Sequence, residues 1–138
     1  MLSYPVRLVE DDNDTYLATC PDFPEVTTFG RSKDEAIANA ADAIQEAIAA
    51  RQSDREEIPA PSKGRQRVRL PTRVALKLAL YLEMREKGIS KAALARRLGV
   101  HRPQIDRLLD IRHHSNLDTI DAALNAIGSR AVVEVTEA

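Results

Sequence analysis

Lys91-Ala92-Ala93-Leu94-Ala95-Arg96-Arg97-Leu98-Gly99-Val100-His101-Arg102-Pro103-Gln104-Ile105-Asp106-Arg107-Leu108-Leu109 decides how the second half of this 138-residue chain folds. Ser90 can cap a short helix running to Leu98. Leu94 and Leu98 stand one helical turn apart and put apolar groups on its inner face. Gly99 supplies the positive φ that a tight turn requires. A second short helix runs from about Arg102 to Leu109. Pro103 falls in its first turn, where the missing N–H costs nothing. Ile105 and Leu108 turn inward, and Ala95 is small where the two helices cross.

This pattern resembles the Cro/repressor type of helix-turn-helix and aligns with it without a gap. Such a motif lays its second helix in the major groove, with the N-terminal residues at base edges. Arg102, Gln104 and Arg107 are the candidate base readers, because arginine can bond guanine O6/N7 and glutamine adenine N6/N7 as bidentate pairs. Lys91, Arg96, Arg97, Arg112 and His113 are candidates for phosphate contacts, which position the protein without specifying sequence.

The charge distribution points the same way. Residues 1–62 carry 5 Lys/Arg against 13 Asp/Glu, a net of −8, whereas residues 63–138 carry 15 against 8, a net of +7. The overall net of −1 hides this polarity. The basic half suits nucleic acid, and the acidic half suits a basic protein.

Outward from the motif, Thr72 to about Lys87 forms a helix with Leu76, Leu80 and Leu82 on a broad apolar face, stopped by Gly88. Ser115 or Asn116 can cap a further helix in which Ile120, Leu124 and Ile127 share a face and which Gly128 ends. Ala131 to Val135 is β-branched and predicts a terminal strand. A lone strand in an all-helical domain exposes unpaired backbone groups. Pairing through Val132, Val133 and Val135 with a second chain would give a homodimer, leaving a tetramer open.

The first half opens with strand signals. Leu2, Tyr4, Val6 and Leu8 alternate along one strand. Asp11-Asp12-Asn13-Asp14 is turn chemistry, and Tyr16, Ala18 and Cys20 mark the returning strand. Pro21-Asp22-Phe23-Pro24 predicts a rigid loop, and Val26–Phe29 a third short strand. Ser32 and Glu35 fit a capping box. Ile37, Ala41, Ile44 and Ile48 then form the stripe of a helix laid on the sheet. Residues 52–66, with two prolines and a glycine, read as a connection. Val68 and Leu70 alternate with Arg67 and Arg69 in a fourth strand. The fold class is therefore α+β: a β-β-β-α-β unit over residues 1–70, followed by an all-α domain with a short terminal strand over residues 71–138.

Tyr4-Pro5-Val6, Pro21 through Val26, Phe29-Gly30-Arg31-Ser32, Ala36-Ile37 through Ala47 and Asp54 through Ser62 resemble the HicB antitoxin family. The resemblance covers residues 1–70, and HicB proteins that carry a helix-turn-helix resemble the chain to its end. It implies a partial ribonuclease-H-like domain that binds the toxin HicA, and a second domain that represses the operon. HicA itself is a small ribonuclease with a catalytic histidine. A toxin that binds RNA phosphates should be basic, so the acidic half is suited to cover it. The candidate toxin contacts are Asp11, Asp12 and Asp14 at the hairpin tip, with Asp22, Phe23 and Glu25 in the following loop. The alternative is a stand-alone repressor whose first domain senses a small ligand.

No catalytic set, cofactor or metal is expected. One cysteine excludes an intrachain disulfide and a cysteine-based zinc site. Cys20 reads as a small buried hydrophobe. His101, His113 and His114 lack ligand spacing. No apolar run reaches the ~20 residues of a membrane span, and no signal peptide opens the chain, so a cytoplasmic location is expected.

Overall fold

The computed structural model describes residues 2–137. The chain forms two compact units, whose boundary falls between Ala75 and Leu76. The order of elements is β1 (Ser3–Pro5), β2 (Arg7–Glu10), β3 (Tyr16–Cys20), β4 (Phe23–Gly30), α1 (Lys33–Ser53), β5 (Arg67–Arg69), α2 (Thr72–Lys87), α3 (Lys91–Leu98), α4 (Arg102–Leu109) and α5 (Leu117–Ala126). The α+β class holds.

In the first unit the expected opening strand is divided. β1 pairs antiparallel with β5, and β2 pairs antiparallel with β3. Pro5 has no N–H for a ladder, and Val6 beside it donates to the carbonyl of Gln66 at 2.9 Å. The extended segment thus changes partner at that point. β2, β3 and β4 form a three-stranded antiparallel sheet in that order. The β2–β3 hairpin turns through Asp14 at a φ of 57°, and Asp11 N donates to Thr15 O at 2.8 Å.

β4 begins at Phe23, three residues before the expected strand. Pro24 does not break it, because β4 lies at the edge of its sheet, where a missing donor is tolerated. The price is a register irregularity at Thr19/Cys20. At the other end Gly30 approaches the start of α1 so closely that a Cβ there would sit 2.2 Å from Ala36 N.

Helix α1 starts at the expected cap, with Ser32 Oγ accepting from Glu35 N at 3.1 Å. Its inward stripe is Ala36, Ala40, Ile44, Ala47 and Ile48. Ile37 and Ala41 lie beside this stripe, half-buried. The small alanines let the helix settle closely on β3, β4 and β5, and the fully buried Ile44 and Ile48 each contribute about 1.5–3 kcal/mol.

The connection over residues 52–66 is stitched down. Ile58 is fully buried, and Tyr4 Oη donates to Pro59 O at 2.7 Å. Ser62 gives both its N–H and its hydroxyl to Asp22 Oδ2, at 2.9 and 3.1 Å. Arg67 reaches Ser3 O at 2.6 Å and Ser62 O at 2.8 Å.

The second unit is helical. Leu80, Met84, Leu94, Ile105, Leu108, Ile120, Leu124 and Ile127 form its core. Gly88, Gly99 and Gly128 all take positive φ where the sequence places helix ends. The terminal strand expected over Ala131–Val135 is not formed within a single chain: residues 129–137 carry no strand. The physical reason is the one that makes the segment unusual, since a helical unit offers no strand edge for it to join.

Candidate nucleic-acid interface

α3 and α4 are built by their caps. Ser90 Oγ accepts from Ala93 N at 3.0 Å, and Gly99 closes α3 at φ 67°, ψ 35°, its N–H turned back to the last carbonyls. A two-residue passage, Val100-His101, then leads into α4. There Gln104 Oε1 accepts from the His101 backbone N–H at 2.8 Å. Ile105, Leu108 and Leu109 are buried, so α4 turns its other face outward with Arg102, Gln104, Asp106 and Arg107 all exposed.

The candidate base readers are therefore all exposed on a single helix, with Gln104 and Arg107 close together on its surface and Arg102 at its first turn. Gln104 differs from expectation in one respect: its amide oxygen serves as a cap, so a bidentate contact to adenine would have to displace that bond. Gln104, Arg107, His113, His114, Asn116 and Thr119 line a shallow hollow of about 230 Å³ at the side of α4.

The candidate phosphate ligands are not equivalent. Lys91 Nζ lies 2.8 Å from Asp106 Oδ1, which ties the start of α3 to α4. Arg97 donates to the carbonyl of Ala126 at 3.0 Å and so caps the end of α5. Arg96, Arg112 and His113 are exposed. Lys91 and Arg97 are thus occupied with bonds inside the unit.

Sequence reasoning missed Lys77. It lies on α2, wholly buried, and its Nζ donates to Arg107 O at 3.1 Å, Asp110 O at 2.9 Å and Ser115 Oγ at 2.9 Å. A cation at a helix C-terminus satisfies orphan carbonyls and opposes the negative end of the helix dipole. Its signal in the sequence was a lysine on the apolar face of α2, between Leu76 and Leu80.

The acidic candidates of the first unit divide in the same way. Asp11, Asp12 and Asp14 are exposed at the β2–β3 turn. Phe23 is fully buried, edge-on to Tyr4 at 5.0 Å between ring centroids, which corrects its expected place on a contact surface. Arg51 lies over the Phe23 ring at 4.9 Å and grips Glu25 with two bonds of 2.9 and 3.0 Å. That grip holds the Glu25 carboxyl below the ordinary carboxylate range. Burial pushes the Cys20 thiol above its ordinary value, which removes thiolate character.

Residues 3–79 match the model of a HicB-like family, described as the HicB_like antitoxin of bacterial toxin–antitoxin systems. The chain belongs to the HicB-like antitoxin family. Among its relatives, Antitoxin HicB of Pseudomonas fluorescens is 38% identical over 100% of this chain and 97% of its own length. Antitoxin HicB 2 of Photorhabdus laumondii is 40% identical over 92% of this chain and 91% of its own. Antitoxin HicB of Escherichia coli K12 is 32% identical over 92% and 94%. These HicB relatives run the length of the chain, so α3 and α4 lie inside the similarity as well as the sheet. Among the described residues no helix is long and apolar enough to cross a membrane.

Proposed function

We propose that this HicB-like chain neutralises a HicA-type RNA-cleaving toxin and represses its own operon. In this reading residues 1–70, a partial ribonuclease-H-like domain, hold the toxin. Residues 71–138 bind operator DNA with α3–turn–α4 as a helix-turn-helix, and the chain works in the cytoplasm without catalysis of its own. The observation that carries the DNA half is α4 itself: Ile105, Leu108 and Leu109 fix it from inside while Arg102, Gln104 and Arg107 stand exposed. The toxin half rests on family membership and on the −8 balance of residues 1–62, which favours a cationic partner.

The exposed valines supply the assembly. Val132, Val133 and Val135 are 86%, 73% and 91% exposed. Paired with the same segment of a second chain they would bring two α4 helices to one operator, with half-sites about one DNA turn, ~34 Å, apart. The operator is then an inverted repeat.

Co-expression with a HicA-type toxin tests the first half: toxin and chain should co-purify, and growth should recover. Footprinting on the operon's own promoter tests the second: protection should cover an inverted repeat. Recovery of growth without co-purification would remove the direct-binding reading.

A further inference from the structure

The register of the three-stranded sheet places Val9 opposite Leu17 and Leu17 opposite Phe29. Directly opposite residues of antiparallel strands project to the same face. The neighbouring row, Leu8–Ala18–Thr28, projects to the other face, where α1 packs and Ala18 is fully buried. Val9–Leu17–Phe29 therefore crosses the face away from α1. Val9 is 57% and Phe29 53% exposed, although both are large hydrophobes held in ladder pairs. Scattered apolar residues need no explanation, but three in register across a sheet form a continuous ridge.

The charge around the ridge selects its occupant. The three strands and their turns, residues 7–30, contain six carboxylates and a single cation, Arg7, which shares the face of Val9 at the end of β2 away from the acidic turn. Glu25 is neutralised by Arg51, and Asp22 is spent on Ser62. Asp11, Asp12 and Asp14 are exposed at the turn that joins β2 to β3, one residue pair beyond the ridge. An apolar ridge with an acidic margin fits a partner that offers an apolar patch within a basic surround.

We infer that the toxin docks on this free sheet face, with Phe29, Leu17 and Val9 as its apolar anchor and the Asp11–Asp14 turn as its electrostatic guide. The inference rests on the antitoxin reading and assigns it a surface. It moves the toxin contacts away from the Asp22–Glu25 segment, where Phe23 is buried and the carboxylates are already paired within the chain. Aromatic anchors ringed by polar contacts carry most of the energy in such interfaces, and the rim charges set the approach rate.

The test uses the full chain and a HicA-type toxin inactivated at its catalytic histidine. Val9→Ser combined with Phe29→Ser should weaken binding by about 100-fold, with an unchanged circular dichroism spectrum, since both side chains are exposed. Phe29→Leu should retain most of the affinity. Replacing Asp11, Asp12 and Asp14 together by Asn should slow association about tenfold and flatten its salt dependence. Undiminished binding by the double serine variant overturns the docking face and leaves the antitoxin reading standing. Failure of the unaltered chain to bind overturns both. A fall in the chain's own oligomeric state with the double variant, seen by light scattering without toxin, would assign the ridge to a second copy and overturn the toxin's claim to it.

Discussion

Lys77 Nζ donates to the backbone carbonyl of Arg107 at 3.1 Å, so one residue of α4 offers its side chain to solvent and its carbonyl to a buried ammonium. The same ammonium holds Asp110 O and Ser115 Oγ. It therefore joins α2, the last turn of α4 and the passage into α5 at a single point. Lys77→Met keeps the apolar stem but leaves these part-buried acceptors without their donor. It should cost about 3 kcal/mol, on the order of 1–3 kcal/mol for each acceptor left without a partner. Urea denaturation measures this. Ser115→Ala removes only one bond and should cost about 1 kcal/mol.

Arg102→Ala and Arg107→Ala should each weaken operator binding by about 1–3 kcal/mol and relax preference at one base pair. The fold should be unaffected, because both side chains are exposed. A titration against operators altered one base pair at a time separates this from general weakening. Normal protection by the double variant would show that α4 is not the reader.

Asp106 places a negative charge on the exposed side of α4 and holds Lys91 at 2.8 Å. Asp106→Asn removes the charge and releases the lysine for phosphate. An exposed pair contributes only about 0.2–1 kcal/mol to folding, so stability should barely change. DNA affinity should rise, and its dependence on salt should steepen by about one phosphate's worth. Fluorescence anisotropy over a salt series reads both.

Glu25 titrates below its ordinary value because Arg51 bonds its carboxylate. A depressed folded-state value means that this stability is present above the unfolded value, near 4.5, and is lost as pH falls through the lower folded value. Glu25→Gln should thus lower the melting temperature at neutral pH and make no difference once acid has protonated the native carboxyl. The pair is partly exposed, so the effect should stay under about 1 kcal/mol. Melting curves of both proteins from pH 7 to pH 2 give the comparison.

Ala131 packs against the core of the second unit, whereas Val132, Val133 and Val135 stand in solvent. A chain ending at Ala131 should keep its folded helices and lose self-association in light scattering. Operator affinity should fall by about 10²–10⁴-fold, since two linked half-site contacts become independent ones. A shortened chain that stays dimeric would place the dimer contact elsewhere.

The local signals of this chain were legible because each is satisfied within a few residues. Ser32, Ser90 and Asn116 cap the helices that follow them, with bonds of 3.1, 3.0 and 2.8 Å. Gly99 adopts the positive φ that its turn predicted, and Gly88 and Gly128, read as helix stops, adopt it as well. The inward Ile105 and Leu108 follow from helical periodicity alone. What only the tertiary structure decided depends on residues far apart in sequence. The division of the first strand at Val6 is set by Gln66. The burial of Phe23 follows from its packing on Tyr4 and under Arg51. Lys77 becomes the buried clamp of α4 through acceptors thirty or more residues away, and Val9, Leu17 and Phe29 become one ridge only when the ladders bring them into register. Periodicity states which side of an element is apolar; it cannot state which distant backbone will lie against it, and these features are made by that contact.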